Sequence, residues 1–516
     1  MTVTGGADFL QLSPAAAPVR GLTGWLADAI RAAIMDGRLR AGTPLPATRL
    51  LAGDLGVSRG VIVEAYQRLA DEGLVSARPG AGTRVLGVAR PAPAESGPGR
   101  TMPGPQGAGP GARAAGGGLA GAQGAGGGLT GARAAGGGLA GAQGAGPLLV
   151  PAQWRERAEI DLSPGVPDLS GFPRAAWLRA ERLVLEQASV ADLGYGDPRG
   201  SQALRTELAG WLARTRGLRA GPGDIIVVTG VAQALALLAR VLRARGQGEI
   251  AVEDPGSRGA RDDLAYWGLR PVPVPVDEHG LRVGELARGQ ARAVLLTPAH
   301  QFPTGVVLAP QRRRDLLDWA ATADGLVVED DYDAEYRYDR APVPALHASA
   351  PGLVAYAGST SKTLAPGMRL GWLVPPAPLH ADLVEAKYAS DLGSPALPQL
   401  VLARLIAGGE LEQHIRLVRK RQRSRRDALL RALREDLPQA RVQGVAAGLH
   451  LLVTLPGLAG QDSELAEAIM RAGVLVQPLS WHRIRPGPPG FVLGYAAHTP
   501  DRLREAARRI ARVLSG

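Results

Sequence analysis

The 516-residue sequence contains no cysteine and only three lysines. The absence of cysteine excludes disulfide bonds, thiolate metal sites and a cysteine nucleophile, and it is compatible with a reducing cytosol. No apolar run is long enough to span a bilayer, and residues 1–10 lack the basic flank and apolar stretch of a signal peptide. We therefore expect a soluble, cytoplasmic protein without a membrane partner, and no metal site is predicted.

Positive charge is in excess, because Lys and Arg outnumber Asp and Glu by 59 to 48, a net charge of +11. The excess is spread along the chain, since residues 1–88 carry nine arginines against seven acids. Net charge therefore does not argue for DNA binding, and local geometry must. The length exceeds what one hydrophobic core usually serves, so two or more domains are expected.

Residues 20–86 have the pattern of a helical module followed by a hairpin. Apolar residues at helical spacing predict a first helix, and Ala47–Leu55 predicts a second. Gly56 then makes a turn, and Ser58 is placed to cap a third helix. Two short strands around a glycine-rich tip follow. The order of helix, helix, turn, helix and wing predicts a winged helix-turn-helix.

Four phrases of this module are informative: Leu45-Pro-Ala-Thr-Arg-Leu-Leu-Ala, Leu55-Gly-Val-Ser-Arg, Ala65-Tyr-Gln-Arg-Leu and Gly80-Ala-Gly-Thr. They resemble the DNA-binding domain of the GntR family of bacterial transcription regulators. The resemblance implies contacts to double-stranded operator DNA from Arg49, Ser58, Arg59, Gly82 and Thr83. An arginine at the start of a recognition helix can bind guanine through two hydrogen bonds, and a glycine-rich tip lets the backbone approach phosphate. Ala47 and Gly60 depart from the family's usual polar residues.

The segment 87–152 is dominated by Gly, Ala and Pro, and a unit that begins at Gly111 recurs from Gly131. Such a composition buries too little apolar surface to offset the entropy of ordering the chain. The repeat indicates a duplication in the gene rather than a solenoid. We expect a flexible, disordered linker.

One of the three lysines, Lys362, lies in Ser359-Thr-Ser-Lys-Thr-Leu-Ala-Pro-Gly-Met-Arg369. A lysine amine condenses with an aldehyde to a Schiff base, whereas arginine does not, so a lysine retained in an arginine-rich chain is informative. The hydroxyls of Ser359 and Ser361 and the guanidinium of Arg369 could flank a phosphate. The stretch indicates pyridoxal 5′-phosphate (PLP), with a solvated surface lysine as the alternative.

Residues 153–516 alternate short apolar, β-branched segments with stretches of helical length. The predicted strands are Ile225–Thr229, Ile250–Val252, Ala293–Thr297, Leu326–Val328 and Leu353–Tyr356. Alternation of this kind predicts an α/β domain with a mostly parallel sheet.

Five phrases of this region stand in a fixed order: Pro164-Gly-Val-Pro-Asp-Leu-Ser-Gly-Phe-Pro173, Gly194-Tyr-Gly-Asp-Pro-Arg-Gly200, His300-Gln-Phe-Pro-Thr-Gly305, Glu329-Asp-Asp-Tyr-Asp-Ala-Glu-Tyr-Arg-Tyr338 and Ser359-Thr-Ser-Lys362. They resemble fold-type I, aspartate aminotransferase-like domains. Their wording is similar to MocR-type regulators, a group that includes GabR and PdxR proteins and joins a GntR module to such a domain. The resemblance implies a PLP-binding, aminotransferase class I/II-like domain over 153–516.

By this resemblance the cofactor would be bound by Gly230, Ala232, Gln233, Asp330, Tyr332, Ser359, Ser361, Lys362 and Arg369. Lys362 would form the Schiff base, Asp330 would pair with the pyridine nitrogen, and Tyr332 would reach the phenolic oxygen. Residues 230–233 lie between a strand and a helix, where backbone N–H groups can face a phosphate. Taken singly, each acid of this region could equally be solvated or cap a helix.

Two departures from the family pattern bear on activity. Ser257 stands where the family places an aromatic residue against the pyridine ring, and Val492 where aminotransferases place an arginine for the substrate carboxylate. Arg483 or Arg485 could substitute for that arginine or be exposed loop charges. His300 could line the pocket or be structural.

A basic run could form a second DNA surface: Arg416, Arg419, Lys420, Arg421, Arg423, Arg425 and Arg426. The solvated side of a long helix is the favoured reading of this run.

Two functions fit these observations. The first is a transcription regulator that senses PLP, or an amine that reacts with it, and acts as a homodimer, with control of vitamin B6 synthesis favoured over use of 4-aminobutyrate. The second is an aminotransferase that carries a DNA-tethering module. The fold alone does not separate them. The fused DNA reader and the missing carboxylate arginine favour the regulator, with residual transaminase chemistry left open.

Overall fold

The computed structural model describes Leu10, Leu12 and residues 21–78, 82–86, 152–338, 343–444, 447–456 and 461–515. The predicted linker, apart from Ala152, and the tip of the predicted wing at 79–81 lie outside the described residues. Within the described ranges, no helix has both the length and the apolar composition needed to cross a bilayer.

The N-terminal module has the predicted order of elements. Its elements are α1 (Leu22–Met35), α2 (Thr48–Asp54), α3 (Arg59–Asp71), β1 (Val75–Arg78) and β2 (Gly82–Val85). The two strands pair antiparallel, as a wing requires. Apolar side chains three to four residues apart on the helices meet in one core, whose largest fully buried side chains include Leu26, Ile30, Leu51, Ile62 and Leu69.

The turn between α2 and α3 depends on Gly56, whose φ of 62° lies in the left-handed region that glycine adopts at least cost. Ser58 follows at the N-cap position of α3 with an extended backbone, but its hydroxyl makes no capping hydrogen bond. The prediction is therefore right about the position of Ser58 and wrong about its capping hydrogen bond. The hydroxyl is exposed and does not stabilise the helix.

A buried ion pair joins α1 to the end of α3. The Nε and one terminal nitrogen of Arg31 on α1 donate to the two carboxylate oxygens of Glu72, both at 2.6 Å. Glu72 is the C-cap residue of α3. Two parallel hydrogen bonds join the guanidinium to both oxygens of the carboxylate. They offset the hydration that both buried charges have lost better than one hydrogen bond would. The sequence pattern gave no sign of this pair.

The strands of the large domain, in chain order, are β3 (Ile160–Asp161), β4 (Ile226–Val228), β5 (Glu249–Asp254), β6 (Arg270–Asp277), β7 (Gly280–Leu281), β8 (Ala293–Leu296), β9 (Leu326–Asp331), β10 (Val354–Ser359), β11 (Gly371–Val374), β12 (Arg441–Gln443), β13 (His450–Thr454), β14 (Val474–Leu475), β15 (Gln477–Pro478) and β16 (Phe491–Gly494). Eight of them form one mixed sheet in the order β4-β11-β10-β9-β8-β5-β6-β7. Only β7 and β11 run against the others. The predicted α/β class with a mostly parallel sheet is confirmed.

The helices of this domain, in chain order, are α4 (Ala152–Arg157), α5 (Arg174–Gln187), α6 (Gln202–Arg216), α7 (Val231–Ala244), α8 (Arg258–Tyr266), α9 (Val283–Ala287), α10 (Pro310–Thr322), α11 (Ala377–Asp391), α12 (Ala396–Ala407), α13 (Glu410–Asp436), α14 (Asp462–Arg471) and α15 (Pro500–Ser515). Side chains alternate across the sheet, so Ile226 and Val228 pack towards α7 and α11, while Val227 packs towards α6 and α12. Helices therefore cover both faces of the sheet.

A second, four-stranded antiparallel sheet, in the order β12-β13-β16-β15, lies near the C-terminus. It shares a core with α13, α14 and α15, and the apolar stripe of α15 contributes Leu503, Ala507 and Ile510. The segments β13 and β15 reach the cavity described below.

Candidate functional site

The carboxyl ends of β8, β9 and β10 open into a cavity of about 310 Å³. This end of parallel strands is where open α/β sheets usually bind ligands. The lining residues are Pro164, Gly165, Val231, Ala232, Ser257, Arg258, Thr297, Phe302, Asp330, Tyr332, Ser359, Ser361, Lys362, Arg369, Leu449, His450, Gln477 and His482. Seven of the nine predicted cofactor-binding residues meet here; Gly230 and Gln233 are not in the lining.

The amine of Lys362 lies inside this cavity, where it donates a hydrogen bond to the carbonyl of Gly165. Burial lowers the pKa of Lys362, and the carboxylates of Asp333 and Asp330 partly oppose that change. A lowered pKa favours the neutral amine, which is the nucleophilic form. The alternative of a solvated surface lysine is therefore wrong.

Two adjacent aspartates at the end of β9 point to opposite faces of the sheet. Asp331 faces away from the cavity, where it accepts hydrogen bonds from Arg216 Nε at 2.5 Å and the Tyr356 hydroxyl at 2.6 Å. Asp330 faces the cavity, and within the described part of the chain its buried Oδ1 has no hydrogen-bond partner. Burial and the charge of Asp331 raise the pKa of Asp330 to about 7. A buried, unpartnered carboxylate of this kind needs a cationic or N–H donor ligand.

Tyr332 is held from behind by His300. The Tyr332 hydroxyl donates to the His300 carbonyl at 3.1 Å, and His300 Nδ1 lies 3.0 Å from that hydroxyl and 2.9 Å from Asp333 Oδ2. His300 itself is buried and does not line the cavity, so its role is to position Tyr332 rather than to contact a ligand. His300, Asp333 and His450 lie close enough together for a metal ion, but these hydrogen bonds already engage Nδ1 of His300 and the Asp333 carboxylate.

The other end of the cavity gathers groups that suit an anion. It contains the N-terminus of α7 at Val231, the hydroxyls of Ser359 and Ser361, and the Arg369 guanidinium. A Cβ built on Gly230 would lie 3.2 Å from both terminal nitrogens of Arg369, so glycine lets the guanidinium approach the backbone. The first-turn N–H groups of a helix have no partner within the helix and point outwards.

Gln233 does not belong to this end of the cavity. Its Oε1 accepts a hydrogen bond from the Thr229 N–H at 2.9 Å, and its Nε2 donates to Asp391 at 2.8 Å. Asp391 also binds the amine of Lys387. The Gln233 side chain therefore ties α7 to α11, and the predicted contact of its backbone N–H with a phosphate stays a prediction.

The two predicted departures have clear positions. Ser257 lines the cavity, and its hydroxyl caps α8 by accepting from the Ala260 N–H at 3.3 Å. Val492 is fully buried and packs with Leu452, Leu479 and Phe302. No cation therefore replaces the arginine at that place.

The loop before β16 does not supply that cation either. Among the described residues that line the cavity, neither Arg483 nor Arg485 is present. The backbone N–H groups of Ile484 and Arg485 donate to Asp254 instead, at 2.8 and 3.0 Å. The suggestion that either arginine substitutes for the carboxylate arginine is wrong in this structure.

The far wall of the cavity was missed by the sequence reasoning. It is built from Phe302, Leu449, His450, Gln477 and His482. The Phe302 ring lies between the two imidazoles, with ring centroids 4.9 Å from His450 and 5.0 Å from His482. Isolated histidines in apolar segments give no sequence signal that separates a pocket wall from a core.

The predicted DNA-contacting side chains lie on the surface of the N-terminal module. Arg49 and Arg59 are exposed, and among the described residues neither makes an ion pair. Arg59 Nε lies 3.4 Å from the Thr48 hydroxyl, which places it beside the start of α2. Gly82 is exposed with a φ of 76°, and Thr83 follows it on β2. These positions leave the guanidinium groups available to DNA.

The basic run on α13 is divided between solvent and the fold, because four of its seven residues are exposed and the other three are partly or fully buried. Arg419 and Arg423 donate to the carbonyls of Glu335 and Tyr338, both at 2.7 Å. Arg425 is buried and lies 3.0 Å from the Asp168 carboxylate. The interpretation as a solvated face is wrong for Arg425, whereas Arg423 is exposed and Arg419 is half-buried while both bind backbone carbonyls.

Two protein families match the chain. Residues 22–85 match the bacterial regulatory proteins of the gntR family, and residues 157–510 match aminotransferase class I and II. The chain is 32% identical over 488 residues to the probable rhizopine catabolism regulatory protein MocR of Rhizobium meliloti, which covers 93% of this chain and 91% of that protein. It is 31% identical over 497 residues to the pyridoxine biosynthesis transcriptional regulator PdxR of Corynebacterium glutamicum, with 95% of each chain covered.

Solved structures give the same picture for the large domain. The kynurenine aminotransferase of Pyrococcus horikoshii aligns with a TM-score of 0.64 and 29% identity, over 69% of this chain and 90% of that one. A multiple substrate aminotransferase from Thermococcus profundus aligns with a TM-score of 0.65 and 28% identity, over 70% and 94%. Together, these matches confirm the resemblances drawn from the sequence phrases.

Proposed function

This chain belongs to the MocR-type group of GntR-family regulators that carry an aminotransferase class I and II domain, and from that premise we propose that its large domain binds PLP and transmits the cofactor's state to a DNA-bound module. The observation that carries the proposal is one cavity shared by a buried amine, Lys362, and a buried carboxylate without a partner among the described residues, Asp330. These two groups match the aldehyde and the pyridine nitrogen of PLP.

The remaining lining residues fit the rest of the cofactor. Ser359, Ser361, Arg369 and the first amides of α7 would hold the phosphate, because they combine hydroxyl, guanidinium and backbone donors at one end of the cavity. Tyr332 would reach the phenolic oxygen. When bound, PLP supplies an aldehyde carbon that exchanges amines and a ring that withdraws electrons.

The N-terminal module would bind the operator DNA. We propose that Arg59 reads base edges from the start of α3 while Arg49, Ser58 and the wing residues Gly82 and Thr83 contact the backbone. Support comes from their exposure and from the absence of acidic partners for the two arginines among the described residues. Contacts to phosphate position a reader, and contacts to base edges give it specificity.

A regulatory role is favoured over transamination by residue 492. Where aminotransferases place the arginine that binds the substrate carboxylate, this chain has Val492, which is buried in an apolar cluster. Lys362 and Asp330 are nevertheless both present, so slow transaminase chemistry is the second candidate function. Similarity to a pyridoxine biosynthesis regulator supports control of vitamin B6 genes as the biological role, exercised in the cytoplasm.

We also propose that the protein acts as a homodimer. Large apolar side chains stand exposed near one another on the large domain: Val190 at 91%, Leu193 at 64%, Tyr195 at 93% and Leu392 at 47%. A Cβ built on Gly393 would lie 3.8 Å from Asp197 and Pro198, so the segment after α11 lies beside the segment after Tyr195. Such apolar patches mark interaction surfaces.

Borohydride trapping tests the cofactor proposal. Treatment of the PLP-loaded protein should fix the cofactor's mass on the peptide that contains Lys362. Lys362→Ala should lose both the trapped mass and the absorption of the covalently held cofactor, while basal DNA binding stays intact. Lys420→Ala changes an exposed lysine on α13 in the same way and should lose neither. Loss of folding together with DNA binding in Lys362→Ala would point to a structural lysine instead.

A further inference from the structure

Lys387 on α11 is another of the three lysines in the sequence, and its side chain is fully buried, at 0% exposure. Burying an ammonium group is costly unless an ion pair and hydrogen bonds replace the lost hydration. Its Nζ lies 2.7 and 2.6 Å from the two carboxylate oxygens of Asp391, and it donates to the Ser394 hydroxyl at 3.0 Å. The amine therefore has three acceptor atoms inside the protein and is not a solvated surface charge.

Asp391, the last residue of α11, connects this lysine to α7. Its carboxylate also accepts hydrogen bonds from the Gly393 N–H at 3.0 Å and from Gln233 Nε2 at 2.8 Å. Burial alone would raise the pKa of Asp391, but hydrogen bonds from Gln233 and Lys387 lower it. An ionised carboxylate only accepts, so the Gln233 amide is held with its nitrogen towards α11.

The amide oxygen of Gln233 then faces the turn between β4 and α7. Oε1 accepts a hydrogen bond from the Thr229 N–H at 2.9 Å. Thr229 is followed directly by Gly230, the N-cap residue of α7. The same turn packs on the backbone of β11, because a Cβ built on Gly371 would lie 2.9 Å from Gly230 Cα. The turn is thus held by β11 and by the Gln233 amide.

This turn forms part of the phosphate end of the cavity. The first two residues of α7 line the cavity, and the Arg369 guanidinium lies beside Gly230. Among the described residues of the lining, Lys387, Asp391 and Gln233 are absent. These three side chains can therefore act on a ligand through the turn and not by contact.

We propose that Lys387 is a positioning residue, which acts through Asp391 and Gln233 to hold the amides at the start of α7 in place for a phosphate group. The network thereby adds to the preference for PLP over pyridoxal, which has the same aldehyde and ring with a hydroxyl in place of the phosphate ester. A loosened turn has to be ordered when the phosphate binds, and that cost lowers the affinity. The inference rests on the proposed PLP site, since the phosphate of PLP is the group that the turn receives.

Two ligands and two variants test the inference. PLP and pyridoxal both present an aldehyde to Lys362 and a ring nitrogen to Asp330, and only PLP carries a phosphate. In Lys387→Met and in Gln233→Leu, the affinity for PLP should fall about tenfold, the value of one hydrogen bond to a charged group, while the affinity for pyridoxal changes by less than about twofold. Titration of the cofactor-free full-length protein, followed by cofactor absorption, gives both dissociation constants.

An exposed lysine provides the matched control. Lys420→Met makes the same change on the surface of α13 and should leave both dissociation constants unchanged. Thermal unfolding of each cofactor-free variant checks that its fold matches that of the parent protein. If Lys387→Met does not fold, Gln233→Leu decides, because it leaves the pair of Lys387 and Asp391 intact. A reduced preference for PLP in that variant supports the inference, and an unchanged preference overturns it.

The outcomes separate this inference from the function on which it rests. A wild-type protein that binds neither PLP nor pyridoxal at Lys362 would overturn both. A wild-type protein that binds PLP, with the same PLP affinity in Lys387→Met and Gln233→Leu, would overturn the inference alone. An equal loss of affinity for PLP and pyridoxal would also overturn it, because the cause would then be a general loss of structure and not the phosphate end.

Discussion

At the scale of single residues, the site depends on which way neighbouring side chains point. Asp330 and Asp331 are identical in sequence terms, yet strand alternation sends one into the cavity and the other to Arg216 and Tyr356. The carboxylate that a cofactor would use is therefore the one that the fold leaves without a partner among the described residues. We expect it to weaken the cofactor-free fold.

The stability of the cofactor-free protein should show this cost as a pH dependence. Burial raises the pKa of Asp330 from 3.8 to about 7. The folded state therefore holds this proton more tightly than the unfolded state, and the contribution of Asp330 to the free energy of unfolding falls as the pH rises from about 4 to about 7. Asp330→Asn should raise that free energy at pH 8 by at most about 4 kcal/mol, and by less at pH 5.

Urea unfolding of the cofactor-free proteins at both pH values measures the effect. Asp54→Asn, at an exposed position of α2, is the control and should change little. The same Asp330→Asn variant should bind PLP more weakly, since the pyridine nitrogen loses its charged partner. Equal stability of variant and parent at pH 8 would mean that the carboxylate is already compensated in the fold.

Where the chemistry is specific to a residue type, the residues predicted from the sequence meet in one cavity, and their contacts with a cofactor stay a prediction. Lys362 and Asp330 were predicted because only an amine and a carboxylate do what PLP requires, and both line the cavity. The sequence gave no sign that the Gln233 side chain would bind Asp391 on α11, because an amide side chain can have many partners. His450 was missed because its position on β13 beside the cavity is decided by the tertiary fold.

At the scale of elements, the least predictable strands were those with unusual composition. β6 contains a proline at every second position, which argues against a fully paired strand. It pairs along its length with β5, whereas its other neighbour, β7, has only two residues and pairs with Val276 and Asp277. The backbone N–H groups that the prolines of β6 lack therefore cost the sheet few hydrogen bonds. β11, which runs against its neighbours, was not singled out because its four residues carry no distinctive alternation.

The start of α3 carries the prediction for DNA recognition. Arg59→Ala should reduce discrimination between operator and unrelated DNA by about 1–3 kcal/mol, because a guanidinium that bonds two acceptors on guanine is lost. Arg68→Ala is the control on the same helix, since Arg68 already pairs with Glu64 at 3.4 Å. Competition between operator and scrambled duplex at one fixed salt concentration measures the ratio. A uniform loss on both duplexes would instead assign Arg59 to phosphate contact.

At the scale of the whole molecule, the proposed dimer depends on the exposed apolar patch beside Tyr195. Leu193→Asp places a charge in that patch and should shift the protein towards monomer, because burying the carboxylate at an interface is costly. Leu417→Asp makes the same change at a 58% exposed position of α13 and should leave the assembly unaltered. Sedimentation velocity over a concentration series measures the assembly of both variants. If Leu193→Asp remains a dimer, the interface does not lie at this patch.

Coupling between the two domains requires a ligand that binds their two states differently. A cofactor held by Lys362, Asp330 and Arg369 would touch the end of β9 and the segment between β10 and β11. The family assignment and the fold followed from local phrases of the sequence. The direction of control lies in the relative arrangement of domains joined by the predicted linker, a property that no local phrase encodes.

The most direct test is a mobility-shift titration of the full-length protein on DNA from upstream of its own gene and its divergent neighbour, with and without PLP. The account predicts a sequence-specific complex whose dissociation constant changes at least about fivefold when PLP is added, and no such change in Lys362→Ala. A specific complex with the same affinity in both conditions, from protein shown by absorption to hold PLP, would contradict the claim that this regulator responds to its cofactor.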